Sequence, residues 1–338
     1  MRAVRVAPLR CPSRLSGWAL TALAVLAGVG GAAAARAEDG YDLWLRYPAP
    51  TGERLQEYRA AATQLVAPDA SATLRVARGE LERALGRMLG AVPPGAPAVT
   101  QDGAILLGTP RSLALPAALR HGLEHAGSEG YVIRTARVSG HRAIIVTANT
   151  DFGVLYGTFH FLRLLQTRQG LDALDIVSWP HVQHRVLDHW DNLDGIVERG
   201  YAGSSLWDWQ KLPGYLDPRY TDYARACASI GINGAVLTNV NARAVVLTPL
   251  YLRKAAALAA VFRPYGIKIY LAARFSAPVE IGGLATADPL NERVRTWWRA
   301  KGGTSSCCCW RTWTAIPRPA RRIPWSWQNP WRTGSTRL

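Results

Sequence analysis

Between residues 179 and 301 the chain repeats one unit, an apolar strand that ends in polar residues and glycine and is followed by a helix. This repetition limits the folds open to it. Strands are expected over 186–192, 234–241 and 267–275, with helices at about 220–229 and 250–262 between them. Each helix is followed by a glycine-containing turn, Gly231-Ile232-Asn233 and Tyr265-Gly266. Such units open a parallel (β/α)8 barrel, and a doubly wound open sheet would show the same units. A barrel places its working residues at the C-terminal ends of strands. Asp191, Asn192, Asn239, Asn241 and Arg274 all fall there.

Residues 38–178 have a different style and predict a self-contained α/β, sandwich-like domain. A strand is expected at 41–47, closed by Pro48 and Pro50, and a helical period at 51–66. A short strand follows at 74–77, then a helix at 80–89 with Leu81, Leu85, Met88 and Leu89 on its apolar face. Ala104-Ile105-Leu106-Leu107-Gly108 reads as a buried strand, and 131–134 with 141–146 as a hairpin around Ser139-Gly140. A helix at about 153–165 has Asn149, Thr150 or Asp151 as its N-cap, and Gly153 and Gly157 let it lie close to a sheet. No dinucleotide or P-loop spacing occurs. The fold class is therefore α/β, an N-terminal domain at 38–178 followed by the first strands and helices of an incomplete TIM barrel at 179–301.

The two ends differ from this middle. Residues 1–37 hold five arginines and no carboxylate, an apolar run from 18 to 30, and a small-residue site ending Ala35-Arg36-Ala37. That order is a secretory signal and predicts a secreted or periplasmic protein with no stable membrane span after cleavage. Residues 302–338 hold six arginines, five of the chain's thirteen tryptophans and no acid, without helical or strand period. They read as a non-native or disordered tail, for example after a reading-frame shift. The ends supply eleven of the sixteen net positive charges and leave +5 on the middle, so no nucleic-acid surface is indicated. Cys307, Cys308 and Cys309 are adjacent and lack zinc-site spacing, so neither a metal nor another cofactor is expected.

The densest chemistry lies in Asp188-His189-Trp190-Asp191-Asn192-Leu193-Asp194-Gly195 and the following Glu198. An indole beside carboxylates and amides suits a sugar, because the ring covers the apolar face while polar groups take hydroxyls. Trp190 could equally be barrel core, and His189 a structural hydrogen-bonder. Ser205-Leu206-Trp207-Asp208-Trp209, two aromatics flanking an acid, fits a sugar-lined wall or a loop anchored in the barrel rim. Asn239 and Asn241 could meet a hydroxyl or simply form a turn. Arg274 could face an acidic sugar or pair with a carboxylate. Asp188, Asp191, Asp194 and Glu198 crowd one strand end, so they do not obviously supply the two opposed carboxyls of an inverting glycosidase.

These segments resemble glycoside hydrolase family 67, the α-glucuronidases. The resemblance starts at 38–47, continues through 105–110, 129–131 and 153–163, is strongest over 185–203 with 207–209, and runs on through 220–225, 230–241, 266–278 and 288–298. It implies an enzyme that removes glucuronic acid or its 4-O-methyl ether from decorated xylo-oligosaccharides by inverting hydrolysis. It also implies relatives that dimerise through a helical C-terminal region absent here. Trp190 would pack against the uronic acid, with Asp191, Asn192, Asn239 and Arg274 as further substrate-binding positions. The family's segment K-A-N-S-E-G-Q-P-G-P, which carries its general acid, has no counterpart after Lys301, nor do the carboxylates that activate water. The resemblance thus leaves this chain without assignable catalytic residues. A non-catalytic xylo-oligosaccharide-binding protein is the alternative.

Overall fold

The computed structural model describes residues 38–304, apart from 114, 116, 240 and 241. The leader and the tail from 305 onward, with the expectations placed on them, lie outside the described residues. The described residues up to Arg46 belong to one unit and those from Tyr47 to a second.

In the first unit the strand expected at 41–47 is absent. Residues 41–44 form a turn in which Leu45 N–H donates to Asp42 O at 2.8 Å, and Arg46 pairs with Glu38. Leu43 takes a left-handed backbone (φ 51°), which no strand accommodates.

The second unit begins with α1 (Gly52–Ala60), β1 (Gln64–Val66) and α2 (Ala72–Leu89). The helical period expected over 51–66 thus divides into a helix and a strand. The strand expected at 74–77 is instead the first part of α2. Ser71 caps that helix through its hydroxyl, which accepts from Leu74 N–H at 3.1 Å. Leu74, Ala77, Leu81, Ala84, Leu85 and Met88 form one buried stripe, so the helical period extends further back than Glu80.

β2 (Ala104–Gly108) is fully buried, two short helices follow as α3 (Ala117–Arg120) and α4 (Leu123–Ala126), and β3 (Tyr131–Val138) and β4 (His141–Thr147) form the expected hairpin. The helix α5 (Asp151–Gln166) is capped by Thr150, and β5 (Asp175–Ser178) completes a mixed sheet of order β1-β2-β4-β3-β5. β1, β2 and β4 run parallel, while β3 is antiparallel to both its neighbours. α5 packs on β3 and β4 and against α2. A Cβ on Gly157 would stand 2.9 Å from Val146 Cγ1, so that approach depends on glycine.

The remaining elements alternate strictly. β6 (Val186–Asp188), α6 (Pro218–Ser229), β7 (Gly234–Val236), α7 (Pro249–Phe262) and β8 (Lys268–Tyr270) make a parallel sheet in chain order, and α8 (Ala277–Glu280) and α9 (Glu292–Thr304) follow. Residues 186, 187 and 188 pair with 234, 235 and 236, and these with 268, 269 and 270. The strands are shorter than expected: beyond each the regular ladder ends, and only single cross-strand bonds such as His189 N–H to Val236 O and Leu237 N–H to Tyr270 O continue it. Among the described residues the sheet does not close into a barrel, and Val186 and Leu187 on its edge are over one-third exposed. Residues 302–304, expected to lack any period, are the last residues of α9. No helix of the described residues is long and apolar enough to cross a membrane.

Candidate functional site

A cavity of about 440 Å3 opens at the C-terminal end of β6. Asp188, His189, Trp190 and Asp191 form one side, and Glu198, Ser204 and Leu206 from the following loop form another. The loop is shaped by its own backbone. Asp191 bridges to Val197 and Ile196 to Ser204, with Gly195 in the left-handed conformation (φ 91°) that the reversal requires. Asp194 accepts from Ile196 N–H at 3.2 Å, and Ser205 N–H donates to Gly195 O at 2.7 Å. Glu198 is also left-handed (φ 50°), a conformation that costs a non-glycine residue free energy and recurs at ligand sites. Two bonds hold it there: its N–H donates to Trp190 O at 2.8 Å, and its carbonyl accepts from Asn192 Nδ2 at 2.6 Å.

The expected site residues have separate positions. Trp190 lines the cavity and is 44% exposed, so it is not a core residue. Asp191 also lines the cavity but is 3% exposed. Its Oδ2 accepts from Ser205 Oγ at 2.5 Å and from Leu206 N–H at 3.3 Å, so this carboxylate braces the loop. Asn192 secures Glu198 as described. Asn239 is buried and ties two strand ends together: its N–H donates to Asp191 O at 2.8 Å and its Nδ2 to Trp190 O at 3.3 Å. Arg274 does not line the cavity. It is half-exposed and lies 3.8 Å from Glu280. Asn241 lies outside the described residues.

His189, although it lines the cavity, is held by its own hydrogen bond. Its Nε2 is 2.7 Å from Tyr223 Oη and its Nδ1 is 4.0 Å from Asp191 Oδ1. Burial pushes its pKa below the usual histidine value, and the neighbouring Asp191 and Asp188 partly oppose that. Burial raises the Tyr223 hydroxyl well above its ordinary range, so it remains protonated. Trp207 and Trp209 are each 1% exposed and anchor the loop. Trp207 stacks with His189, Tyr220, Tyr223 and Phe262 at centroid distances of 5.2–5.8 Å. A sugar-lined wall made of these two rings is therefore excluded.

Sequence reasoning placed Ser205 in a candidate segment without giving it a role, and did not single out Tyr223. The spacing of Tyr220, Tyr223 and Cys227 along α6 was a usable signal for the latter, because steps of three and four share a helix face. Among the described residues no cluster of three His, Cys, Asp or Glu could hold a metal ion. Chemically, the cavity offers an indole face with Asp188 and Glu198 carboxylates beside it, a combination able to cover a sugar ring and accept its hydroxyls.

Residues 43–161 match the glycosyl hydrolase family 67 N-terminus and residues 164–304 the glycosyl hydrolase family 67 middle domain. A probable alpha-glucuronidase A of Aspergillus terreus is 34% identical over 274 residues, covering 78% of this chain and 31% of that protein. The alpha-glucuronidase A of Emericella nidulans is 33% identical over 281 residues, covering 78% and 32%. The chain thus spans about a third of the length of the curated relatives it matches. Among solved structures, a family GH115 4-O-methyl-alpha-glucuronidase is similar at a TM-score of 0.46 and 15% identity, covering 72% of this chain and 34% of that one. Two family matches, which together cover 43–161 and 164–304 and adjoin within α5, show that the chain belongs to glycosyl hydrolase family 67, the alpha-glucuronidases.

Proposed function

We propose that this chain binds glucuronic-acid-decorated xylo-oligosaccharides at the β6 cavity, as the sugar-facing part of an α-glucuronidase site. The reaction of that site is inverting hydrolysis releasing glucuronic acid or its 4-O-methyl ether. Three parallel strands joined by two helices support reading 179–301 as the opening of a (β/α)8 barrel, with 38–178 as a separate N-terminal domain. The observation that carries the proposal is the half-exposed Trp190 lining one cavity with Asp188 and Glu198 at a strand's C-terminal end. Trp190 stacks on the sugar, and the two carboxylates accept its hydroxyls. Asn192 and Asn239 act by holding Glu198 and Trp190 in place.

The same geometry supports binding without turnover. Inverting hydrolysis needs two carboxyls on opposite sides of the bond, about 6.5–9.5 Å apart. Asp191 is committed to Ser205 and Leu206, which leaves Asp188 and Glu198 at one strand end and its loop. Titration calorimetry with an aldouronic acid tests this, using the whole chain and its Trp190→Ala variant. Binding by the parent and its loss in the variant is the expected result. Equal affinity in both would remove Trp190 from the site, and release of free uronic acid by the parent would overturn the non-catalytic part.

A further inference from the structure

We infer that Glu129, a residue of the first sheet's flank far along the chain from the cavity, is a positioning residue that sets the register of the sheet carrying the cavity. Its carboxylate meets two side chains that start the first two strands of that sheet. Glu129 Oε2 accepts from Arg185 Nη2, and Oε1 accepts from Asn233 Nδ2 at 3.1 Å. Arg185 directly precedes β6, and Asn233 directly precedes β7.

These two residues also join each other. Arg185 N–H donates to Asn233 Oδ1 at 2.9 Å, and Asn233 N–H returns a bond to Arg185 O at 2.9 Å. Asn233 Nδ2 donates in addition to Gln183 O at 2.7 Å, and Arg185 Nε to Gly231 O. The node is 5% exposed at Asn233 and 18% at the Arg185 side chain, so water does not replace a lost partner cheaply. The carboxylate and Gln183 O together orient the amide of Asn233, so that Oδ1 faces the Arg185 N–H.

Glu129 is itself held by its neighbour. A Cβ on Gly130 would lie 2.2 Å from Ala126 O and 2.7 Å from Ser178 O, and one on Gly153 would lie 2.4 Å from Gly130 O. The backbone beside Glu129 is wedged between α4, β5 and α5, so its carboxylate is presented from a fixed point. At the opposite ends of β6 and β7 that register becomes the site: His189 N–H donates to Val236 O at 3.0 Å and Asn239 N–H to Asp191 O at 2.8 Å. A one-residue slip would turn every β6 side chain to the other face and dismantle the cavity. β6 has three residues and one paired edge, so its own ladder resists slippage weakly.

Hydrogen exchange followed by mass spectrometry or NMR on the whole chain tests this without any ligand. In Glu129→Ala the amides of His189 and Asn239 are expected to exchange about tenfold faster or more, the scale of losing a charged hydrogen bond. The amides of Ile145 and Leu106 in the first sheet should change far less. Glu129→Gln keeps an acceptor for Asn233 but removes the charge facing Arg185, so protection should return at Asn239 and stay reduced at His189, a split that a space-filling role would not produce. Unchanged exchange at His189 and Asn239 in a folded Glu129→Ala protein overturns the inference. So does equal acceleration in both sheets. If Glu129→Ala does not fold, Glu129→Gln decides: faster exchange at His189 with Ile145 and Leu106 unchanged supports the inference, and unchanged exchange at His189 refutes it.

Discussion

Arg225 on α6 grips Glu80 on α2 with two parallel bonds, Nε to Oε2 at 2.7 Å and Nη2 to Oε1 at 2.8 Å, and both side chains are under one-tenth exposed. Tyr47 Oη donates to the same carboxylate, and Arg83 lies 3.5 Å from it. A bidentate pair in a dry setting is specific because removing either member strands the other. Arg225→Met is therefore expected to destabilise the chain by about 3–5 kcal/mol. The double replacement Arg225→Met with Glu80→Leu should cost markedly less. Urea unfolding of the two variants measures the difference, and equal losses would show that the pair is not coupled.

His189 makes stability depend on pH. Burial lowers its folded-state pKa, with Asp191 and Asp188 opposing, and burial with Arg163 does the same to His160. An unfolded histidine titrates at about 6.5, so below that pH the unfolded chain binds more protons than the folded one. Stability should be fully present above about pH 6.5 and fall as the pH drops through it. His189→Gln should flatten that slope in thermal melts recorded from about pH 8 to about pH 5, the interval around the unfolded histidine value. A slope identical to the parent's would show that His189 contributes nothing to it.

The tryptophans divide by burial. Trp207→Ala removes a ring packed by four aromatic neighbours and is expected to cost about 3–5 kcal/mol. Trp190→Ala removes a ring that is 44% exposed and should leave the melting temperature nearly unchanged while abolishing sugar affinity. Calorimetric melts of both variants check the contrast.

Two glycines should respond to alanine with opposite signs. Gly153→Ala drives a methyl to 2.4 Å from Gly130 O and 2.6 Å from Ala148 Cβ, so it destabilises. Gly79 lies on the exposed face of α2 with open space around it. Gly79→Ala should stabilise by about 0.5–1 kcal/mol through helix propensity. Chemical denaturation of the pair reads out both signs.

Much of this architecture is local and was therefore legible from the chain alone. The buried strand at 104–108, the hairpin across Ser139-Gly140, and the helices α5, α6 and α7 each carry an apolar period and a turn or cap within a few residues. Misreadings arose where a short window imitated another period. Leu74-Arg75-Val76-Ala77 alternates like a strand, yet Leu74 and Ala77 belong to a helical stripe continuing to Met88. Residues 41–47 alternate too, but Leu43 turns left-handed and ends any extended run.

Sequence by itself determined the strand–helix repeat, the gathering of Asp188, Trp190 and Glu198 near one strand end, and membership in family 67. Tertiary structure alone decided which groups are free. Trp190 and Trp207 are the same residue type seventeen positions apart, and one faces the cavity while the other is sealed among α6 and α7. Asp191 turned to Ser205, and Glu129 met Arg185 and Asn233 across 56 and 104 positions. No local period encodes such pairings, because burial and partner choice are settled only when distant segments compete for the same contact.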